Sequence, residues 1–176
     1  MTSKKLYQLL VFLFPIIYLF HKLEEWLVLR SKATMLIDIS PKNIGAYVHN
    51  DPSILASVFG IAVVFATVLP VIVSFYLWKK LTPFNAKILV IIAFATFINT
   101  ISHIFSSITL GFIAPGLITG IVLCIPYAIG VTLFVKNYFP MNGKQYLSLG
   151  FISLGVYFLI IVISWLFAAM CISNLN

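Results

Sequence analysis

The chain has 176 residues, of which 62% are hydrophobic and only 9% charged, with a formal net charge of +7; soluble domains carry roughly 25% charged residues. This much apolar surface needs a bilayer as its solvent, so a single membrane domain with no soluble companion is expected. The positive charge does not point to nucleic acid. The lysines Lys4-Lys5, Lys79-Lys80, Lys87, Lys136 and Lys144 sit singly or in pairs between apolar runs, where they face anionic headgroups and set topology.

About 20 predominantly apolar residues are needed to cross a bilayer. The first candidate span is 6–29, entered after Lys4-Lys5. Its start imitates a secretory signal, but His21-Lys22-Leu23-Glu24-Glu25 follows where small cleavage-site residues belong, so the segment is expected to stay as a signal anchor. Residues 30–52 read as the one long connection, with Asp38, His49 and Asp51 and a short amphipathic piece near Met35 to Ile39; a loop of this length is often functional. The later spans are expected near 53–78, 84–112, 116–136 and 145–172. They are separated by turn chemistry at Asp51-Pro52, Lys79 to Pro83, Ala114-Pro115-Gly116 and Pro140 to Gly143. These runs are too long for barrel strands and do not alternate, so the fold class is an all-α polytopic bundle of about five transmembrane helices.

Within the spans, Pro70 and Pro126 each remove a backbone hydrogen bond and are expected to bend their helices. Gly116 and Gly120 have the small-xxx-small spacing that lets helices approach closely, which packing within the fold is enough to explain. Cys124 and Cys171 read as packing thiols. With the N-terminus inside, the inner segments hold Lys4, Lys5, Lys79, Lys80, Lys87, Lys136 and Lys144, against Arg30, Lys32 and Lys42 outside. This bias places the N-terminus inside and the C-terminus outside.

Of the four acidic residues, only Glu24 and Glu25 fall within an apolar span. At about 100° per residue, Glu24 lies about 60° to one side of His21 and Glu25 about 40° to the other, so all three share one helical face. Unpaired charge in lipid costs at least a few kcal/mol, so this face is expected to look into the bundle or a wet cavity. The third span offers the complement: Asn99 and His103 lie four apart on one face, with Ser102, Ser106 and Ser107 nearby. Both spans run in the same direction, which places His21 and His103 at similar depth and predicts face-to-face packing.

Imidazole and carboxylate are ligands for zinc, iron or manganese. His21, Glu24, Glu25 and His103 are therefore candidate metal ligands, with Glu24 and Glu25 as candidate catalytic carboxylates and Asn99 orienting a ligand or substrate. The di-metal carboxylate bundles use Glu-x-x-His, the reverse of the order here. Two blander readings stand beside this one. Lys22 would neutralise a glutamate in a packing network, or the motif would be a wet helix end anchored by Trp26 and Arg30. His49 and Asp51 are candidates to cap the site from the loop.

His21-Lys22-Leu23-Glu24-Glu25 resembles the signature of the HXXEE-domain membrane proteins, a small bacterial family. The resemblance extends to a second histidine, matched by His103, and to the end of a Tyr-x-Pro-Gly motif at Pro115-Gly116, with Ile113 at the tyrosine position. It implies a membrane fold, a bacterial cytoplasmic membrane and a site at these residues, but no reaction. The residues favour a metal-dependent membrane enzyme acting on a lipid-like or apolar substrate, with hydrolysis ahead of di-iron oxidation. Neither a nucleophile-elbow serine nor a phosphate-cradling glycine loop is present. A small carrier using intramembrane carboxylates, with a homodimer supplying symmetry, and a structural membrane subunit are the alternatives.

Overall fold

The computed structural model describes residues 2–39 and 51–173, and among them five helices are long and apolar enough to cross a membrane. They are α1 (Ser3–Ile39), α2 (Pro52–Trp78), α3 (Pro83–Leu110), α4 (Leu117–Tyr138) and α5 (Gly143–Ser173). The ends of α2 to α5 fall within two residues of the spans expected from the sequence. That agreement reflects the punctuation between them. Asp51 caps α2 by accepting from the Ser53 N–H at 2.7 Å. Thr82 caps α3 by accepting from the Asn85 N–H at 3.1 Å, and a proline opens each helix, where its missing N–H costs nothing. Gly111, left-handed at φ +72°, ends α3.

Helix α1 departs from expectation. Residues 30–39 are helical and not part of the connection, and the piece near Met35 to Ile39 is simply the end of α1. The reason is a continued apolar stripe: Leu29, Ala33, Leu36 and Ile37 pack with Leu55 of α2 and Trp165 of α5. At 37 residues, α1 is about 55 Å long, well beyond a hydrocarbon core of about 30 Å. His49, a candidate cap of the site, lies outside the described residues; Asp51, the other, spends its carboxylate on Ser53.

The helices form a ring in which α1 neighbours α2, α2 neighbours α5, α5 neighbours α3, α3 neighbours α4, and α4 closes on α1. The expected face-to-face packing of α1 and α3 is therefore replaced by a meeting of long side chains, with α2 as the main neighbour of α1. Toward the start of α1 the bundle is solid. Tyr7, Val11 and Phe14 interlock with Leu89, Val90 and Ala93 of α3 and with Tyr127, Val131 and Phe134 of α4. Hydrogen bonds from Tyr7 Oη to the Leu77 carbonyl (2.9 Å) and from Ser74 Oγ to the Val11 carbonyl (3.1 Å) tie α1 to α2.

Toward the other end the ring opens into a cavity of about 430 Å³ among α1, α2, α3 and α5. Outside, large apolar residues such as Phe75, Phe105, Ile108 and Phe151 stand exposed, as a lipid-facing surface requires.

Helix α4 shows how a proline is accommodated. Gly120–Cys124 form a π turn, with the Ile125 N–H bonded to the Gly120 carbonyl. Widening the turn just before Pro126 places the ring where its missing donor and its bulk do not disrupt an α-helical repeat. Gly120 itself packs on α3, where an added Cβ would meet Thr100 Cγ2 at 2.9 Å. The close approach read from its spacing is thus an intramolecular one.

Candidate metal centre

The pentapeptide of α1 that begins at His21 turns His21 and Glu25 inward, one turn apart, and both are buried. His21 Nε2 is 2.9 Å and His103 Nε2 3.0 Å from the same oxygen, Glu25 Oε1. The two imidazoles meet edge to face with ring centroids 5.2 Å apart. Asn99, one turn before His103 on α3, donates from Nδ2 to His21 Nε2 at 2.6 Å and to His103 Nε2 at 3.1 Å, with Glu25 Oε1 at 3.4 Å. Depth matching thus found residues that the fold does bring together: His21, Glu25, Asn99 and His103.

Glu24 goes elsewhere. Its carboxylate accepts from the backbone N–H of Ile118 (3.1 Å) and Thr119 (2.7 Å) and from the Thr119 hydroxyl. It therefore occupies the N-terminus of α4, where the unpaired N–H groups and the positive helix end favour a carboxylate. The same threonine reaches His21: Oγ1 lies 3.0 Å from His21 Nδ1. Because the Thr119 proton is committed to Glu24, its oxygen accepts from Nδ1–H, and this leaves the Nε2 lone pair of His21 facing Glu25 and Asn99. Spacing along α1 put both glutamates on one face, but the α4 terminus divides their duties.

Lys22, read from the sequence as a possible neutralising partner, does sit against Glu25, with Nζ 2.7 Å from Oε1 and 2.6 Å from Oε2. It also lies over the Tyr18 ring at 5.2 Å from the centroid. The reading as a wet helix end does not fit the burial of His21 and Glu25.

The sequence did not assign two residues of the centre. Thr119 carried no signal, since its role exists only once α4 starts beside α1. Gly116 was visible as a turn residue. It sits at φ +84°, and a Cβ there would meet Glu25 Cγ at 2.7 Å and both His103 Nε2 and His21 Cε1 at 2.9 Å. Only glycine lets the start of α4 cover the cluster this closely.

The donor set fits a divalent ion. One ligand atom each from His21, Glu25 and His103 lie within 4.8 Å of one another, and atoms sharing a zinc ion with bonds near 2.1 Å stand about 3.4 Å apart. The lone pairs of His21 Nε2 and Glu25 Oε1 face each other at 2.9 Å, while Lys22 donates to Glu25 and the Asn99 amide to the two imidazoles. A cation between those two atoms would turn the confrontation of lone pairs into coordination. Two histidines and one carboxylate also leave positions open for water or substrate, as catalytic sites do.

Fold and site together define a class: an integral-membrane bundle of five long helices with a buried His–Glu–Lys–Asn centre at the wall of an internal cavity. The chain belongs to the family described as proteins of unknown function with an HXXEE motif, which it matches over residues 12–131. The matched stretch contains every residue of the centre from His21 to Thr119 and ends before α5. No curated protein and no solved structure matches the chain. Ile113, two residues before Pro115-Gly116, is exposed and points away from the burial of the centre.

Proposed function

We propose that this protein is a metal-dependent membrane enzyme that hydrolyses a lipid-like substrate. The observation that carries the reading is the convergence of His21, Glu25 and His103 on one point at the wall of a cavity whose lining is mostly apolar. Hydrolysis is favoured over di-iron oxidation because Glu24 is engaged by α4, which leaves one carboxylate in the cluster, whereas di-iron bundles draw several from facing helices.

In this reading His21, Glu25 and His103 hold the ion, be it zinc, iron or manganese. When bound, it supplies Lewis-acid polarisation of a carbonyl and activation of a water. Asn99 donates to the carbonyl oxygen as negative charge develops there. Glu25 takes the proton from the attacking water, and the Lys22 ammonium at its side gives a proton to the leaving oxygen. The proton then passes from Glu25 to Lys22 across their existing hydrogen bonds, which restores both groups.

The test is elemental analysis of detergent-purified protein with titration of zinc, iron and manganese. Near-stoichiometric metal that falls at least ten-fold in His21→Ala and His103→Ala supports the reading. No metal, and no change in affinity for any of the three, overturns it.

A second reading rests on the buried Lys22–Glu25 pair beside a cavity, an arrangement that a proton-coupled carrier also uses. It requires ion-dependent flux in proteoliposomes that is lost in Glu25→Gln, with a homodimer supplying the symmetry that one chain lacks. For topology, we place the N-terminus on the cytoplasmic side of a bacterial membrane, on the lysine bias. A C-terminal reporter active only outside the cytoplasm would bear that out, and activity only inside would reverse it.

A further inference from the structure

The cavity lining is apolar except for a cluster of polar groups on α1 and α3 and one on α5. On α2 it is lined by Phe59, Ala62, Val63, Ala66, Leu69 and Val73, with no hydrogen-bonding side chain among them. Alanines at 62 and 66 leave the room that larger residues would fill. From α1 and α3, Lys22, Glu25, Thr96, Asn99, His103 and Ser106 face the same space. A mostly apolar void with a cluster of polar groups at one place suits neither pure hydrocarbon nor bulk water.

A second polar point lies further along α5. Ser164 lines the cavity and is only 4% exposed, yet its Oγ has no hydrogen-bond partner. Among the described residues two other buried hydroxyls share that condition, Tyr127 and Tyr146, but neither lines the cavity. Nor does Ser164 do what Ser153 does on the same helix, which is to bond the carbonyl four residues back, at 2.6 Å to Leu149. An unpaired buried hydroxyl is costly, and a ligand group is one way to satisfy it.

Tyr157 Oη meets Ser102 Oγ at 3.0 Å, which ties α5 to the stretch of α3 that carries Asn99 and His103. Ser164 stands seven residues on, about 10 Å along the helix.

We propose that the cavity binds a single-chain amphiphile whose polar end sits at Asn99 and His103, whose chain lies on the α2 wall, and which carries a second hydrogen-bonding group along that chain, at Ser164. This rests on the lipid-hydrolase reading for the location of the polar end and adds the class of substrate. A long-chain acid or ester bearing a mid-chain hydroxyl or carbonyl is the chemistry that matches.

Trp165 lines the same cavity and serves as reporter once Trp26 and Trp78 are replaced by Phe. In detergent, 9,10-dibromostearate is expected to quench it saturably, and 10-hydroxystearate to displace the probe at about five-fold lower concentration than stearate, the worth of one neutral hydrogen bond. That preference should vanish in Ser164→Ala. Ala66→Phe, with Ala62→Leu as a milder variant should it misfold, is expected to abolish the saturable phase while helicity by circular dichroism is kept.

Quenching that is non-saturable, or unchanged in the filled-cavity variants, overturns the proposal. Saturable quenching with equal displacement by the two acids overturns its second polar point. Metal content measured on the same samples separates the two readings, since metal without saturable quenching sinks only the amphiphile, and saturable quenching without metal sinks only the hydrolase.

Discussion

Lys22 and Glu25 hold opposite charges in a place where neither is easily left alone. Removing one partner of a buried ion pair costs about 3–5 kcal/mol, because the remaining charge is stranded. Lys22→Met is therefore expected to lower the thermal stability of metal-free protein by that order, and Lys22→Met/Glu25→Gln to regain most of it. A divalent ion at the centre would supply the missing positive charge, so added zinc should stabilise Lys22→Met more than the parent protein. A pure packing network predicts no such difference. Thr119 acts through another residue, holding His21 in the tautomer that leaves Nε2 free. Thr119→Val is expected to weaken metal binding by about ten-fold or more, while Thr119→Ser preserves it. The ¹⁵N shifts of the His21 ring provide the readout, since the proton leaves Nδ1 in the valine variant and not in the serine one.

Helix α4 decides how the centre is built, because its N-terminus holds Glu24, its Thr119 holds His21, and its approach to α3 depends on Gly120. An alanine Cβ at 120 would press on the Thr100 side chain at 2.9 Å. Gly120→Ala is expected to destabilise the bundle by about 1–3 kcal/mol, and Thr100→Ser, which removes the nearest methyl, to recover part of that in the double variant. The measurement is unfolding in detergent, with metal affinity followed in parallel. At the start of α2, the Ser53 hydroxyl and N–H hold the exposed Asp51 carboxyl below its ordinary value near 3.8. A depressed folded value means that the cap contributes fully above the unfolded value and is lost as pH falls through the lower folded one. Asp51→Asn is expected to keep the cap and flatten the acid limb of the stability profile, whereas Asp51→Ala loses the cap at every pH. Helix ends such as these were readable in the chain because a cap, a proline and a glycine act over four residues. The extra turns of α1 were not, since Arg30, Ser31 and Lys32 look like a loop until Leu55 and Trp165 cover the stripe beside them.

For the molecule as a whole, the sequence by itself determined the solvent, the helical class, five spans and the common face of His21, Glu24 and Glu25. Composition, run length and a period of 3.6 residues are local quantities and need no knowledge of neighbours. It also placed His103 and Asn99 at the right depth, because rise per residue converts numbering into height. Tertiary structure alone decided the rest. Ring order set α1 beside α2 and α4, so that the polar faces of α1 and α3 meet through side chains across the bundle. The arrival of the α4 terminus drew Glu24 away and left Glu25 alone with two histidines, Asn99 and Lys22. The cavity, with its apolar α2 wall and the unpaired Ser164 hydroxyl, exists only because the helices pack tightly at one end and part at the other. Which side chains share an interior depends on how all five helices fit together, and no window along the chain contains that information.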